Sequence, residues 1–531
     1  MTVPRWWQAG AVYQIYPRSY QDSNHDGIGD IPGIIQRLDY LQTLGVGAIW
    51  LSPFFKSPMA DFGYDVADYC DVDPLFGTLA DFDRLVAEAH ARGIKIIIDY
   101  VPNHTSNQHP WFLESRQNRT NPKADWYIWR DPKPDGSLPN NWGSAFGGVA
   151  WTWDEQRGQY YFHQFAPEQP DLNWRNPEVK AAMLDVLRFW FKRGVDGFRM
   201  DVIWMIWKHP DMPDQPPLPG AVLRGEGDIF NSQQHIYDWD YEGIHDIMRE
   251  MRLLADEFGD TVLIGEIYLP LERWVRYYGT ADAPELHLPF NFRLIELREW
   301  TAAAVRQEIA LLEAAVPPHG YPNYVLNNHD QKRFPSRFGV EHTRTAAMLL
   351  LTLRGTPTLY QGEEIGMVNG IIEPHQVKDP QGLNLGIEHT RDVARTPMQW
   401  DNSPYAGFST VEPWLPVHPN YLTVNVAAQV DKPRSVYALY RALLKLRKDH
   451  TAFSIGSLTL LDLSDDVVAY ERCSDDERFF VILNFSDKPL SVDLPAAGVK
   501  VLSTHPFAPN ELIRDQLELW GNEGVILRVI D

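Results

Sequence analysis

Two cysteines in 531 residues, Cys70 and Cys473, are too few for a disulfide framework and too far apart in sequence for a metal-binding pair. A stapled secreted scaffold is excluded, and a reducing compartment suits the chain best. Long apolar runs are missing too: nowhere do 18 consecutive apolar residues occur, and Met1 to Gly10 has no stretch of signal-peptide length. The expectation is a cytoplasmic protein that does not enter a membrane. Positive charge is in deficit, with 48 Lys and Arg against 71 Asp and Glu, a net charge of −23. Such a surface repels phosphate backbones, so nucleic acid is excluded as a partner, whereas a neutral small molecule is neither drawn nor refused. Aromatic side chains are abundant instead, with 19 Trp, 23 Tyr and 24 Phe. Most must pack a core, but the surplus suits a site that stacks on the apolar faces of sugars.

Short β-rich runs recur near Val12–Tyr16, Ala48–Leu51, Lys95–Tyr100, Gly197–Met200, Val262–Glu266, His287–Asn291, Tyr324–Asn327 and Thr356–Tyr360. Helical patterns lie between most of them. Thr78 caps one such helix, with Phe82, Leu85, Val86 and Ala89 on one face and Gly93 as its stop; Asn176-Pro177 opens another that ends at Gly194. Strands alternating with helices imply parallel pairing, and eight such units predict an α/β fold, a (β/α)8 TIM barrel. The interval between the third and fourth strands is far the longest. It holds a Trp-, Asn-, Pro- and Gly-rich insertion over residues 104–173, read as a loop-rich subdomain. The barrel then occupies 1–103 and 174–452, with an irregular stretch from Met367 to Arg434 and a helix at Val436–Arg447 after the eighth strand. Residues 453–531 alternate in short strands (Ser457–Leu463, Val467–Arg472, Phe479–Asn484, Leu490–Leu494), which predicts a C-terminal antiparallel β-sandwich domain.

In a barrel of this kind the C-terminal strand ends carry function. Here they read Asp99-Tyr100-Val101-Pro102-Asn103-His104, Gly197-Phe198-Arg199-Met200-Asp201, Gly265-Glu266 and Asn327-Asn328-His329-Asp330. Acids, two histidines and an arginine thus converge on one mouth. Cleaving a glycosidic bond takes one protonated acid for the leaving oxygen and one carboxylate for the positive anomeric carbon. Arg199, two residues before Asp201, faces the same side of a strand and is expected to hold Asp201 ionised by lowering its pKa. A metallohydrolase is the rival reading, but there is no His-Glu-x-x-His and no tight His-x-His pair.

These four strand ends resemble, in order and spacing, the four signature regions of the α-amylase family of glycoside hydrolases. Gln169-Pro170-Asp171-Leu172-Asn173 resembles the fifth region as found in the oligo-1,6-glucosidase branch. The resemblance implies Asp201 as nucleophile, Glu266 as general acid/base and Asp330 as a third acid holding substrate hydroxyls. It implies Arg199, His104 and His329 in the first sugar subsite, with Asp99 in support. Asp61 and Tyr64 are similar to the family's floor of that subsite, and Arg395 to the arginine that pairs with such an aspartate, closing the pocket and making the enzyme exo-acting. Phe146 and Phe165 resemble its aromatic walls. Val202, directly after the nucleophile, marks a preference for α-1,6 over α-1,4 bonds in the resembling enzymes.

Near the start, Asp22, Asn24, Asp26 and Asp30 place oxygens at alternate positions, with glycines at the bends and the Ile28 carbonyl as a backbone donor. A loop wraps a hard cation such as calcium in this way, with magnesium as the other candidate. A polar turn would use similar residues, but the family's N-terminal calcium loop favours a structural ion; no organic cofactor is implied. The expected partner is a small α-glucoside. An α-glucosyltransferase or sucrose isomerase would share every catalytic residue, and here the Arg-Leu-Asp-Arg-Asp motif of some sucrose isomerases is missing: Gln331-Lys332-Arg333-Phe334 follows Asp330.

Overall fold

A computed structural model describes residues 4–221, 225, 227, 229–506 and 510–530. Eight parallel strands form its centre: β1 Val12–Ile15, β2 Ala48–Leu51, β3 Lys95–Tyr100, β4 Gly197–Met200, β5 Val262–Glu266, β6 Leu288–Phe290, β7 Asn323–Val325 and β8 Thr356–Tyr360. They hydrogen-bond in the order β6-β5-β4-β3-β2-β1-β8-β7, with Val12 of β1 level with Ala48 of β2 and Thr358 of β8. The sheet is thus a nearly closed barrel. Its seam lies between β6 and β7. There Pro289 has no N–H to give, and asparagine side chains bridge instead: Asn291 N donates to Asn323 Oδ1 (2.8 Å) and Asn291 Nδ2 to Asn323 O (3.0 Å).

The strands are buried on both faces, which is why they read as apolar runs such as Ile96-Ile97-Ile98 rather than as alternation. Period-2 geometry sorts them into two cores. Val12, Trp50, Ile97, Val262, Ile264, Leu288 and Val325 fill the interior, while Tyr13, Ile49, Ile96, Ile98, Phe198 and Leu263 face the surrounding helices. Asp99, Arg199, Asp201 and Glu266 share the parity of the interior set, so they rise above it at the mouth. The helix Leu79–Ala91 is capped by Thr78, whose side chain accepts from Asp81 N, and it buries Phe82, Leu85, Val86 and Ala89 as expected. Pro177–Lys192 is capped by Asn176.

Between β3 and β4 the chain adds a short helix, Pro110–Ser115, and an antiparallel sheet of Trp129–Arg130, Gln159–Phe162 and Trp151–Asp154, with a small core around Trp142, Trp151 and Phe162. After β8 come irregular turns and then the helix Val436–Asp449, two residues longer than the sequence pattern predicts. The C-terminal domain is a six-stranded antiparallel sheet whose strands include Ser457–Leu461, Val467–Ser474, Glu477–Asn484 and Gly524–Val529. Its two faces differ: Val468, Tyr470 and Phe479 join the large core shared with the barrel, while Val467, Ala469 and Phe480 pack on a second, two-stranded sheet through Val492 and Leu517. Among the described residues no helix is long and apolar enough to cross a membrane.

Candidate active site

Arg199 organises the mouth. Its buried guanidinium reaches three carboxylates: Asp99 Oδ1 at 2.8 Å, Asp201 Oδ1 at 2.7 Å and Glu266 Oε1 at 2.9 Å. Burial pushes Asp99 up to about 6, against the pull of Arg199 and of the Trp50 indole, which donates at 3.1 Å. Asp201 departs from the sequence expectation. Its carboxyl is pushed well up, first by burial and then by repulsion from Glu266, and Arg199 opposes this shift without reversing it. Glu266 has a second donor, Val202 N at 2.9 Å to Oε2. To aim that N–H, Val202 sits at φ +36°, where a β-branched residue is strained.

Asp330 is held ionised at the same mouth. Burial works against it, but the surrounding positive groups, the Arg391 and Arg395 guanidiniums among them, draw its carboxyl well below the usual carboxylate range. Burial brings His329 itself down to about 3, so the ring is neutral at pH 7 and the two guanidiniums supply the positive charge. Arg395 Nη2 lies 2.9 Å and Arg391 Nη1 3.4 Å from Asp330 Oδ1. The His329 ring lies parallel to Tyr64, with centroids 5.5 Å apart, and its Nε2 is 2.7 Å from the Tyr64 hydroxyl. Burial likewise lowers His104, to about 4, and its Nε2 meets the Tyr64 carbonyl at 3.1 Å.

Asp61 is paired, though not with the expected Arg395. Asp61 Oδ1 is bound by Arg391 Nη2 at 2.7 Å, and the same nitrogen holds Asp379 Oδ1 at 2.6 Å. Arg395 binds Asp330 and the His329 carbonyl instead. Asp379 caps the helix Pro380–Leu385, which fixes Arg391 from behind. Gln169 Nε2 reaches the other oxygen of Asp61 at 3.2 Å. Phe146 and Phe165 form one wall, edge to face at 5.5 Å, with the Arg391 guanidinium 5.2 Å from the Phe146 ring and His104 against Phe165.

These groups enclose a cavity of about 330 Å³. Asp61, Tyr64, His104, Phe146, Phe165, Asp201, Val202, Glu266, His329 and Asp330 all line it, whereas Arg199 and Arg395 are not in the lining. Sequence reasoning missed Arg391 and the role of Gln169. It also missed the aromatic lining residues Trp204, Phe230, Trp239 and Tyr268. A second arginine one turn before Arg395 was the available signal for the first.

The N-terminal loop is bound by its own donors. Asp22 accepts from the N–H groups of Asn24, His25 and Gly27, Asp26 from that of Ile28, and Asp30 from those of Ser23 and Gly33. Ser409 fills the remaining position on Asp22. Among the described residues no three acidic, His or Cys side chains surround one point, so a cation would have to displace some of these bonds.

Residues 14–456 match the family described as "Alpha amylase, catalytic domain", and residues 458–520 match "Maltogenic Amylase, C-terminal domain". The chain is 41% identical to a probable alpha-glucosidase of Rhizobium meliloti, over 97% of this chain and 96% of that one. It is 42% identical to an oligo-1,6-glucosidase of Parageobacillus thermoglucosidasius, over 92% of each. Among solved structures it resembles an alpha-glucosyl transfer enzyme at TM-score 0.92 and 41% identity, covering 99% of this chain and 100% of that one. It also resembles the trehalulose synthase from Pseudomonas mesoacidophila at TM-score 0.90 and 36% identity, covering 100% of both. The chain belongs to the α-amylase family and is a glycoside hydrolase.

Proposed function

We propose that the enzyme is an exo-acting, retaining α-glucosidase that releases glucose from the non-reducing end of short α-glucosides, α-1,6-linked ones first. The observation that carries this reading is the Asp61–Arg391–Asp379 ion cluster, whose Asp61 and Arg391 line the same cavity as Asp201 and Glu266. A terminal glucose would set its apolar face on Tyr64 and give its hydroxyls to Asp61, His104, His329 and Asp330. Arg199 fixes one oxygen of Asp201; the other attacks the anomeric carbon. Arg199 and Val202 N both donate to Glu266. The reaction needs Asp201 ionised, free to attack, and Glu266 protonated, able to serve the leaving oxygen. Water, activated by Glu266, then releases glucose with its α-configuration retained. Incubation with isomaltose, maltose and sucrose, followed by proton NMR of the first-formed glucose, tests the reading. α-Glucose is expected, and β-glucose first would defeat it.

A second reading, transfer of glucose to an acceptor hydroxyl, is favoured by the aromatic side of the cavity, which shields the glucosyl-enzyme from water, and by the likeness to a transfer enzyme. It differs only in what resolves the covalent intermediate. Oligosaccharides longer than the substrate, or rearranged sucrose, would identify it.

Linkage preference is assigned to Val202. It lines the cavity beside Asp201, where its branched side chain limits how the leaving sugar lies, and the extra torsion of a 1,6 bond avoids that contact. A single side-chain contact gives about 10–200-fold in discrimination. Isomaltose should therefore have the higher kcat/KM, and Val202→Thr should move the ratio toward maltose; an unchanged ratio would assign linkage to other loops.

For the N-terminal loop we propose a structural calcium ion held by Asp22, Asn24, Asp26, Asp30 and the Ile28 carbonyl, an all-oxygen set suited to a hard cation. Far along the chain from the acids, it would support the fold rather than the chemistry. Added calcium should raise the melting midpoint as free metal exceeds its dissociation constant. With no shift against chelator and no metal by elemental analysis, the loop is a self-bonded turn.

A further inference from the structure

The segment between β4 and the next barrel helix, Ile244–Asp256, holds a buried aspartate that the mechanism above does not use. Asp240 has positive φ, +49°, and its side chain has no exposure. Four groups converge on its carboxylate. The Tyr277 hydroxyl donates to Oδ1 at 2.9 Å, with His245 Nε2 at 3.3 Å; Arg273 Nε donates to Oδ2 at 2.8 Å, with Arg276 at 3.8 Å. The cluster continues outward through Glu285, which meets His245 Nδ1 at 2.7 Å and Arg249 Nη1 at 2.9 Å. Burial would raise the Asp240 carboxyl, but His245, Arg273 and Tyr277 draw it below its ordinary value, so it is a fixed anion.

What this anion connects is informative. Its backbone N–H donates to the Trp204 carbonyl at 2.8 Å, and Trp204 follows Asp201 by three residues. Arg273, which grips the carboxylate, also donates through Nη2 to the Trp239 carbonyl at 2.8 Å. Arg273 and Tyr277 belong to the helical segment that follows Glu266, running from Leu271 to Tyr278. From its far side Trp239 is stacked on His235, centroids 4.2 Å apart, and His235 Nδ1 is held by Asp238 at 2.8 Å. Trp204, Trp239 and Tyr268 all line the cavity, with Tyr268 edge to face on Trp204 at 5.6 Å.

We infer that Asp240 is a positioning residue that clamps the loop after the nucleophile strand to the helix after the acid/base strand, thereby fixing the aromatic wall against which the leaving group or acceptor lies. This rests on the α-glucosidase reading of the cavity. Asp240 does not touch substrate. Its effect should fall on substrates that have a bulky leaving group and need its protonation, because a wall or acid displaced by about 1 Å costs on the order of 100-fold.

Two substrates separate this role from a general structural one. Isomaltose uses the wall and the acid, whereas α-glucosyl fluoride has no aglycone and loses fluoride with little help from an acid, so it reads the glucose end and Asp201. In Asp240→Asn, the kcat/KM ratio of isomaltose to fluoride should fall by about 10–100-fold. Arg273→Gln, at a partly exposed position, should lower the ratio in the same direction and keeps the test valid if the Asp240 variant does not fold. Parallel losses on both substrates, or an unchanged ratio in a folded variant, would overturn the inference alone. A wild type inert on both would overturn the glucosidase reading and this inference with it.

Discussion

Asp201→Asn is expected to abolish turnover and, at the same time, to raise the melting midpoint. The loss follows from the role: an amide cannot form the glucosyl ester, so activity should fall further than the about 10²–10⁴-fold expected for Glu266→Gln, where only proton transfer is lost. The gain follows from the electrostatics. Burial and the adjacent Glu266 make the ionised Asp201 unfavourable in the folded state. A carboxyl whose folded pKa is raised contributes stability only while protonated, and that contribution is lost as pH rises through the folded value. At neutral pH the amide removes this cost while keeping the shape. Calorimetry of both proteins at pH 7, beside rate measurements, checks it. A variant that melts below the wild type would show that Arg199 already outweighs the repulsion, and residual wild-type rates would remove Asp201 from the nucleophile's role.

Arg391→Ala should also lower activity strongly, though it leaves the carboxyl pair in place. The guanidinium neutralises Asp61 and Asp379 and contributes to Asp330, all within one cluster. Removing it strands buried carboxylates, which typically costs about 2–5 kcal/mol. Asp61, already raised by burial against the pull of Arg391 and Arg395, would then lose the first of those two cations and be pushed further up, weakening its hold on a terminal glucose. Expressed as kcat/KM on isomaltose or maltose, the fall is about 30-fold to several thousand-fold. Product analysis on longer malto-oligosaccharides completes the test: the wild type should release glucose alone. A ladder of internal products from the wild type, or an unimpaired Arg391→Ala, would remove the closed-end reading.

The sequence locates the eight barrel strands because runs such as Ile96-Ile97-Ile98 and Ala48-Ile49-Trp50-Leu51 are buried on both faces and have no polar interruption. It is least accurate at β6 and β7, expected over His287–Asn291 and Tyr324–Asn327 but found at Leu288–Phe290 and Asn323–Val325. Both are short strands at the seam, where side chains replace part of the ladder. The acids at the mouth are legible because strand parity carries them inward. The Asp201 shift is not, since sequence places Arg199 two residues away but says nothing of Glu266, which barrel curvature brings alongside. Nor does it decide between Arg391 and Arg395 for Asp61. That choice depends on Asp379, which caps a short helix in an irregular loop without any periodic signal. The aromatic side of the cavity comes from similar loops, and its residues read individually as ordinary core.

A ring fastened at one place has a weakest link, and here that is the asparagine-bridged junction of β6 and β7. Elsewhere the cylinder is zipped by backbone ladders, whereas Asn291 and Asn323 act there as two clasps. Local opening starts where protection is thinnest, so amide exchange should be fastest, among the barrel strands, at Leu288–Phe290 and Asn323–Val325. Because β7 leads directly to His329 and Asp330, breathing at this junction would reach the wall that grips glucose before it reached Asp201.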